Sequence, residues 1–300
     1  MADFLSQYSI QRWLEMAPQG YLEDTVYGHD ADEEEPAELL DNDLLREESI
    51  RTTVQLVVGE RCALAASSGL VNCAPDFGSK TFLATQTLDE ARHVEIFTQR
   101  LYDLGVNKDD LESTLDRYAN PNLVKFAEIL LERVQDGDFV AGVVGQNIVL
   151  EGMAFTVFEL LEATSRQANP KFAHTLSGTI ADERRHVGFG ENRIGSLVRE
   201  QPQRKADVEQ MQKEMTYYML ATFADSFSGN AAAIEETRRI GQELTADAGG
   251  EPQQAEWHGA DLATASPEEL EDVLAGTVLD EFKTRLGRIG LEYQSPPVPA

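Results

Sequence analysis

The 300-residue chain has few cysteines, few lysines and no long apolar run. Two cysteines cannot form a disulfide framework, so Cys62 and Cys73 are predicted to be free and buried. No apolar stretch approaches the roughly 18 residues of a membrane span. The N-terminus also lacks a basic-then-apolar leader, which predicts a cytoplasmic protein with no membrane partner. Strand patterns and Gly-rich phosphate loops are nearly absent, which argues against a β-rich fold and a phosphate-loop enzyme.

Positive charge is scarce as well. The formal net charge is −28, from 53 acidic and 25 basic residues, of which only 7 are lysines. Such a surface repels phosphate backbones, so nucleic acid is excluded as a partner. The Lys-poor composition fits either a salt-rich cytoplasm that screens self-repulsion or an ordinary acidic soluble protein.

Apolar residues recur at helical spacing from residue 44 onward, and Pro and Gly signals separate the helices. Four long helices are predicted at residues 44–70, 79–105, 140–167 and 171–200. Further helices are predicted at 4–16, 123–134, 202–244 and 267–289. These elements predict one all-α domain in three parts: an N-terminal helix and acidic strap (1–43), a helical bundle (44–246), and a loop, C-terminal helix and tail (247–300).

One motif, D-E-x-R-H, occurs twice, at residues 89–93 and 182–186. Residues three apart share a helix face, so Glu90 points with His93 and Glu183 with His186. Each pair could bind one cation through a carboxylate oxygen and an imidazole nitrogen. A single Glu-x-x-His is weak, because a solvated helix face can carry it by chance.

Two further glutamates strengthen the pattern. Glu60 and Glu151 interrupt strongly apolar stretches, where an unpaired charge is costly. At about 1.5 Å per residue, antiparallel hairpins bring Glu60 level with Glu90 and Glu151 level with Glu183. Four inward carboxylates and two imidazoles suit two iron or manganese ions and fit a closed zinc site poorly. The alternative, a salt-bridged core, lacks adequate cationic partners for Glu60 and Glu151. The predicted ligands are Glu60, Glu90, His93, Glu151, Glu183 and His186.

These ligands resemble those of the ferritin-like di-metal carboxylate oxidases over about residues 45–200. The doubled motif is most similar to the ribonucleotide reductase small-subunit-like branch, which includes monooxygenase hydroxylases and ligand-binding oxidases, and is also seen in arylamine N-oxygenases. The resemblance implies a ferritin-like four-helix bundle with additional flanking helices. It also implies oxygen activation at a reduced Fe/Fe or Mn/Fe pair.

The chain departs from each branch at one or two positions. Phe97 stands where radical-generating reductase subunits commonly carry a tyrosine, so a stable tyrosyl radical is impossible there. Phe155 stands where monooxygenases usually carry a threonine. Ala63 and Gln146 replace the cross-linked Val–Tyr pair of ligand-binding oxidases, and Thr179 replaces an additional histidine of arylamine oxygenases.

The leading functional hypothesis is a di-iron or manganese/iron oxidase or monooxygenase that acts on a small, mainly apolar organic substrate. Its partners would be dioxygen, that substrate and an electron donor protein or reductant. Whether the chain also forms a homodimer is left undecided by the sequence. The first alternative is the radical-generating small subunit of a ribonucleotide reductase. A ferroxidase or iron-handling ferritin-like protein is the second alternative, although storage subunits are much shorter.

The surroundings of the ligands are also predicted. Glu90 and Glu183 should lie between the metals. Asp89 should reach His186 and Asp182 should reach His93 across a pseudo-two-fold axis, because ligating histidines usually donate their second N–H to such groups. Arg92 and Arg185 should offset the aspartate charges.

A mainly apolar substrate pocket is predicted beside the metals, with Asn147 as the polar residue that contacts the substrate. In the alternative, bulky side chains from outer helices fill this space. His29 and His258 are predicted at the surface, and His174 is predicted to be structural. The predicted pocket residues are Leu56, Ala63, Leu64, Phe97, Val144, Asn147, Ile148, Phe155 and Phe158.

Overall fold

The computed structural model describes residues 28–228, single positions at 232, 233, 235, 236, 239 and 243, residues 256–261 and residues 264–295. The helix predicted at 4–16 and the loop at 245–254 lie outside these residues, as does most of the stretch 229–244. The helices are α1 (Ala37–Leu40), α2 (Asp43–Cys73), α3 (Phe77–Asp103), α4 (Leu111–Tyr118), α5 (Pro121–Gln135), α6 (Phe139–Ala168), α7 (Pro170–Glu200), α8 (Lys205–Ser228) and α9 (Pro267–Arg288).

Polar caps at the helix starts account for where the long helices begin. The Asn42 side chain accepts hydrogen bonds from the backbone N–H groups of the first turn of α2. Asp76 does the same for α3, and Asn169 for α7. Pro170 and Pro267 stand in the first turn of α7 and α9, where the missing N–H costs nothing.

Two antiparallel hairpins form the centre of the bundle. A three-residue turn joins α2 to α3, and Asn169 alone joins α6 to α7. The remaining helices pack outside, with α5 against α2 and α6, α8 against α5 and α6, and α9 against α6, α7 and α8. Strands in the described part of the chain are confined to an antiparallel pair, β1 (Glu256–Trp257) and β2 (Ala260–Asp261). The all-α prediction is confirmed.

Helix α6 is not a uniform α-helix. Its middle segment, Val144–Leu150, is a π-helix between Phe139–Val143 and Glu151–Ala168. The π-segment packs very closely on α7, because a Cβ at Gly190 would lie 2.5 Å from the Asn147 Cβ. Such segments place residues five apart, rather than four, on the same face.

The acidic strap is not wholly exposed to solvent. Glu35 is buried, since Arg100 Nε donates to its Oε1 at 3.0 Å and Asn169 Nδ2 donates to its Oε2 at 2.6 Å. Arg100 also donates to Thr53 Oγ1 and lies over the Phe172 ring. The strap therefore carries a buried charge that is paired inside the bundle.

The other minor expectations have mixed outcomes. His29 is buried, 8% exposed, and not at the surface, because its ring hydrogen-bonds the neighbouring Asp30 carbonyl. His258 is exposed, and His174 forms an exposed ion pair with Glu33. Both cysteines are free, with Cys62 buried and Cys73 half-buried.

Two helices of the described chain, Asp43–Cys73 and Phe139–Ala168, are long and apolar enough to cross a membrane. Within the structure, 50% and 89% of their most apolar windows are buried in the bundle. Core helices of bundles pass the same test of length and composition, so the finding is weak evidence for a membrane span.

Two glycines on α7 give a matched test of the packing against the π-segment. Gly188 is exposed, and a Cβ there would meet nothing within 4 Å. We expect Gly188→Ala to raise the free energy of unfolding by about 0.5–1 kcal/mol, because alanine favours the helix. Gly190→Ala should lower it by about 1–3 kcal/mol through overpacking. Chemical denaturation measures both, and equal effects of the two changes would contradict the close approach.

Candidate metal centre

All six predicted ligands meet at the centre of the bundle. Each hairpin contributes one glutamate from its first helix and a Glu-x-x-His pair from its second. None is more than 5% exposed to solvent. The structure therefore brings together Glu60 of α2, Glu90 and His93 of α3, Glu151 of α6, and Glu183 and His186 of α7.

The donor atoms fall into two overlapping groups, in each of which they lie within 4.8 Å of one another. One group contains Glu60, Glu90, His93 and Glu183. The other contains Glu90, Glu151 and His186, so Glu90 is shared. Two groups with a shared carboxylate are the arrangement expected of neighbouring cation positions.

Glu90 and Glu183 both lie between the two histidines. The Glu90 oxygens lie 3.5 Å from His93 Nδ1 and 3.4 Å from His186 Nδ1. The Glu183 oxygens lie 3.4 Å and 3.5 Å from the same two atoms. Glu60 lies 3.4 Å from His93 Nδ1 only, and Glu151 lies 4.0 Å from His186 Nδ1 only.

The outer ring nitrogen of each histidine faces an aspartate of the other hairpin. His93 Nε2 lies 3.1 Å from Asp182, and His186 Nε2 lies 3.2 Å from Asp89. These are the crossed contacts that were predicted from the sequence. Because a carboxylate only accepts, each Nε2 donates, and a neutral ring then presents the lone pair of Nδ1 to the centre.

Two arginines accompany the aspartates. Arg92 is buried and hydrogen-bonds Asp182, and it lies 3.4 Å from Asp89. Arg185 is half-exposed and donates to Asp89 at 2.9 Å and to Asp182 at 2.5 Å. The negative charge of the buried aspartates is therefore offset locally.

The ionisation of the centre reflects its shortage of positive charge. Burial raises the pKa of Glu60 to about 8 and that of Glu151 well above its ordinary value. Burial also opposes ionisation of Glu90, but the charges of His186 and His93 hold its pKa at about 2. Despite burial, neighbouring carboxylates raise the pKa of both histidines well above the usual range.

The donor set fits a pair of hard or borderline cations. Nδ1 of both histidines and one oxygen each of Glu90 and Glu183 are buried without a hydrogen-bond partner. Buried polar atoms rarely lack partners, and these point at one another across the centre. Four carboxylates with two neutral imidazoles would balance the charge of two divalent ions.

Three buried amides, which the sequence analysis does not predict as a group, surround Glu151. Gln86 Nε2 donates to its Oε1 at 2.7 Å and Gln146 Nε2 donates to the same atom at 3.1 Å. Asn147 Nδ2 donates to its Oε2 at 2.9 Å. Gln86 precedes Glu90 by one helical turn, which the sequence could have revealed. Gln146 precedes Glu151 by five residues, a spacing that only the π-segment turns inward.

A cavity of about 720 Å³ reaches the centre between α2, α5, α6 and α8. Glu60, Glu151 and Glu183 form part of its wall. Away from these carboxylates the wall is mainly apolar. Its apolar residues are Leu56, Ala63, Leu123, Leu150, Ala154, Val157, Phe158, Leu161, Met219 and Phe223, and its polar and charged residues include Glu48, Arg51, Thr52, Gln55, Asn120, Thr222 and Asp225.

The predicted pocket is only partly this cavity. Leu56, Ala63 and Phe158 line it, but the other predicted residues do not. Phe97 packs against Phe158 in a core cluster, and Phe155 lies under the guanidinium groups of Arg184 and Arg285.

The predicted pocket residues of the π-segment lie elsewhere. Val144 lies in the core, and Asn147, four residues before Glu151, hydrogen-bonds that carboxylate and does not line the cavity. Leu64 and Ile148 also lie away from the cavity. The outer helix α8 contributes Met219 and Phe223 to the cavity wall, a contribution that the sequence did not reveal.

No protein-family profile matches the sequence, and no curated protein sequence matches it. Solved structures match by shape. A Synechococcus protein with aldehyde deformylating oxidase activity has a TM-score of 0.59 and 18% identity, over 84% of this chain and 94% of its own. A variant R2-like ligand-binding oxidase with an aerobically reconstituted Mn/Fe cofactor has a TM-score of 0.60 and 14% identity, over 97% and 99%.

A second variant of this type, reconstituted anaerobically, has a TM-score of 0.58 and 16% identity, over 95% of this chain and 93% of its own. The chain has the ferritin-like fold of these oxidases. In the ferritin-like bundle the two hairpins face each other with their Glu and Glu-x-x-His residues inward, and here the six buried donors occupy that place.

The crossed aspartates give a test of the centre. We expect Asp89→Asn to weaken binding of a divalent metal about 10–100-fold, because groups that orient a ligating histidine commonly contribute that much. Asp103→Asn, on the same helix but paired with Lys171 away from the centre, is the control. Anaerobic metal titration measures the affinity and circular dichroism checks the helices. An unchanged affinity in Asp89→Asn would remove Asp89 from the metal centre.

Proposed function

We propose that the chain is a non-haem oxidase or monooxygenase that holds an Fe/Fe or Mn/Fe pair and uses dioxygen to oxidise a small, mainly apolar organic substrate. The observation that carries this proposal is the cavity, because it joins an apolar space to three carboxylates of the donor cluster. The activities of two similar solved structures, an aldehyde deformylating oxidase and an Mn/Fe ligand-binding oxidase, support it.

The residues of the chain have distinct roles in this proposal. Glu60 and His93 would hold one ion and Glu151 and His186 the other, with Glu90 and Glu183 between them. A reduced metal pair, when bound, supplies the electrons and open coordination that activate dioxygen. Asp182 and Asp89 keep each histidine in the tautomer that binds metal. The apolar wall holds the substrate and excludes water from the reacting atoms.

The cavity also separates this proposal from the radical-generating alternative. A subunit that only stores an oxidising equivalent for a partner needs no space for an organic molecule. Phe97, one turn after His93, cannot form a tyrosyl radical, and it is buried in the core. An electron donor is still required, and a cytoplasmic location and a homodimer stay predictions.

The metal stoichiometry gives the first test. After anaerobic loading with Fe²⁺, Mn²⁺ or both, we expect two metal ions per chain, and Glu151→Ala should retain at most one. Glu162→Ala, on the same helix but paired with exposed Arg166, should retain two. Elemental analysis of the desalted proteins gives the counts. Full loading of Glu151→Ala would contradict the assigned donor set.

The cavity gives the second test. Ala63 lines it, so Ala63→Phe should fill space that a substrate needs while metal loading stays at two per chain. We expect oxygen consumption with a bulky apolar substrate to fall at least tenfold and co-purified small molecules to be lost from mass spectra. Ala65→Phe, at an exposed position on the same helix, is the control. Full turnover by Ala63→Phe would favour the radical-generating alternative.

A further inference from the structure

The bundle is close to two-fold symmetric in its ligands but not in its amides. Helix α2 corresponds to α6, and α3 corresponds to α7. The residue one turn before each glutamate is Leu56, Gln86, Asn147 or Thr179, in the order Glu60, Glu90, Glu151 and Glu183. Leu56 is therefore the symmetry counterpart of Asn147, and Thr179 is the counterpart of Gln86. The amides collect on one side of the centre.

The π-segment adds a third amide to that side. Gln146 lies five residues before Glu151, and its Nε2 reaches the Glu151 carboxylate. The matching residue five before Glu60 is Gln55. In the regular helix α2 that side chain points outward and donates to the backbone carbonyl of Tyr118. No side-chain amide of the described residues donates to Glu60.

The amides around Glu151 are themselves held in place. Asn147 Nδ2 also lies 3.0 Å from Gln86 Oε1, and Gln146 Nε2 lies 3.1 Å from the Ala63 carbonyl. Gln86 Nε2 additionally donates to Glu90 at 3.1 Å. All three amides are fully buried. Turning any of them over would place an oxygen against a carboxylate, so their N–H groups face Glu151.

This network leaves Glu151 little freedom. Its two oxygens accept three amide hydrogen bonds, out of about four acceptor sites on a carboxylate. Glu151 is thus fixed before a cation binds and has about one acceptor site left for it. Glu60 has no such restraint in the described structure, and its oxygens can rearrange. A ligand fixed in advance loses less conformational freedom on binding.

We infer that Gln86, Gln146 and Asn147 are positioning residues that make the two metal positions unequal, with the Glu151–His186 position binding its ion first and more tightly. The Glu60–His93 position is then the exchangeable one. The inference rests on the proposed metal centre and adds an order of filling to it. Hydrogen-bond partners of ligating carboxylates commonly change metal affinity 10–100-fold when removed.

Single-position variants allow the two affinities to be measured separately. His93→Ala leaves the Glu151–His186 position, and His186→Ala leaves the Glu60–His93 position. Mn²⁺ is titrated into each metal-free protein without oxygen, and free Mn²⁺ is followed by electron paramagnetic resonance. We expect the position retained in His93→Ala to bind at least tenfold more tightly than the one retained in His186→Ala. Equal affinities, or the reverse order, would overturn the inference.

Gln146→Met then tests the amides directly. In the His93→Ala background it should weaken Mn²⁺ binding about 10–100-fold. In the His186→Ala background the change in affinity should stay below about threefold. The reason is that Gln146 Nε2 donates hydrogen bonds to Glu151 and to the Ala63 carbonyl, and not to Glu60. A general loss of packing would weaken both positions alike and would therefore contradict a positioning role.

Two controls complete the design. Thr179→Val, at the place that matches Gln86 in the other hairpin, should leave both affinities within about threefold. Gln86→Met replaces Gln146→Met if circular dichroism shows that the latter has lost helix, and it should again weaken the Glu151–His186 position more. If the unmodified chain binds neither Mn²⁺ nor Fe²⁺, the proposed function fails. If it binds two ions of equal affinity, only the order of filling fails.

Discussion

The burial of four carboxylates at one point of a helical bundle is the constraint on which the rest of the structure depends. An ionised carboxylate without partners is costly in a low-dielectric interior, and here Glu60, Glu90, Glu151 and Glu183 share one. The crossed aspartates orient the histidines, the arginines neutralise the aspartates, and the amides satisfy Glu151. The remaining unpartnered donors face the centre, where cations would complete the compensation.

Much of this could be predicted from the sequence, because its determinants are local. The ends of the long helices follow from nearby caps and prolines, so the prediction of 171–200 differs by one residue from the observed Pro170–Glu200. The lengths of the two hairpins then fix which residues come level with each other. That register brings Glu60 to Glu90 and places each Glu-x-x-His pair inward.

The rest depends on packing between distant segments, which periodicity does not report. A uniform helix period cannot anticipate the π-segment, so it does not turn Gln146 toward Glu151. The wall of the cavity includes Met219 and Phe223 of α8, more than 150 residues along the chain from Leu56. The burial of Glu35 also depends on a distant residue. Its acidic surroundings in the sequence indicate exposure to solvent, and its buried partner Arg100 explains why it is buried instead.

The Glu35–Arg100 pair has a consequence for where the chain can be cut. Arg100 is buried, and burial lowers its pKa despite the nearby Glu35 charge. A fragment that begins at residue 44, at the start of the predicted bundle, would leave this guanidinium without its carboxylate. Breaking a buried pair in that way typically costs about 3–5 kcal/mol. A fragment that keeps the strap from before residue 35 is therefore expected to be more stable than one that begins at residue 44.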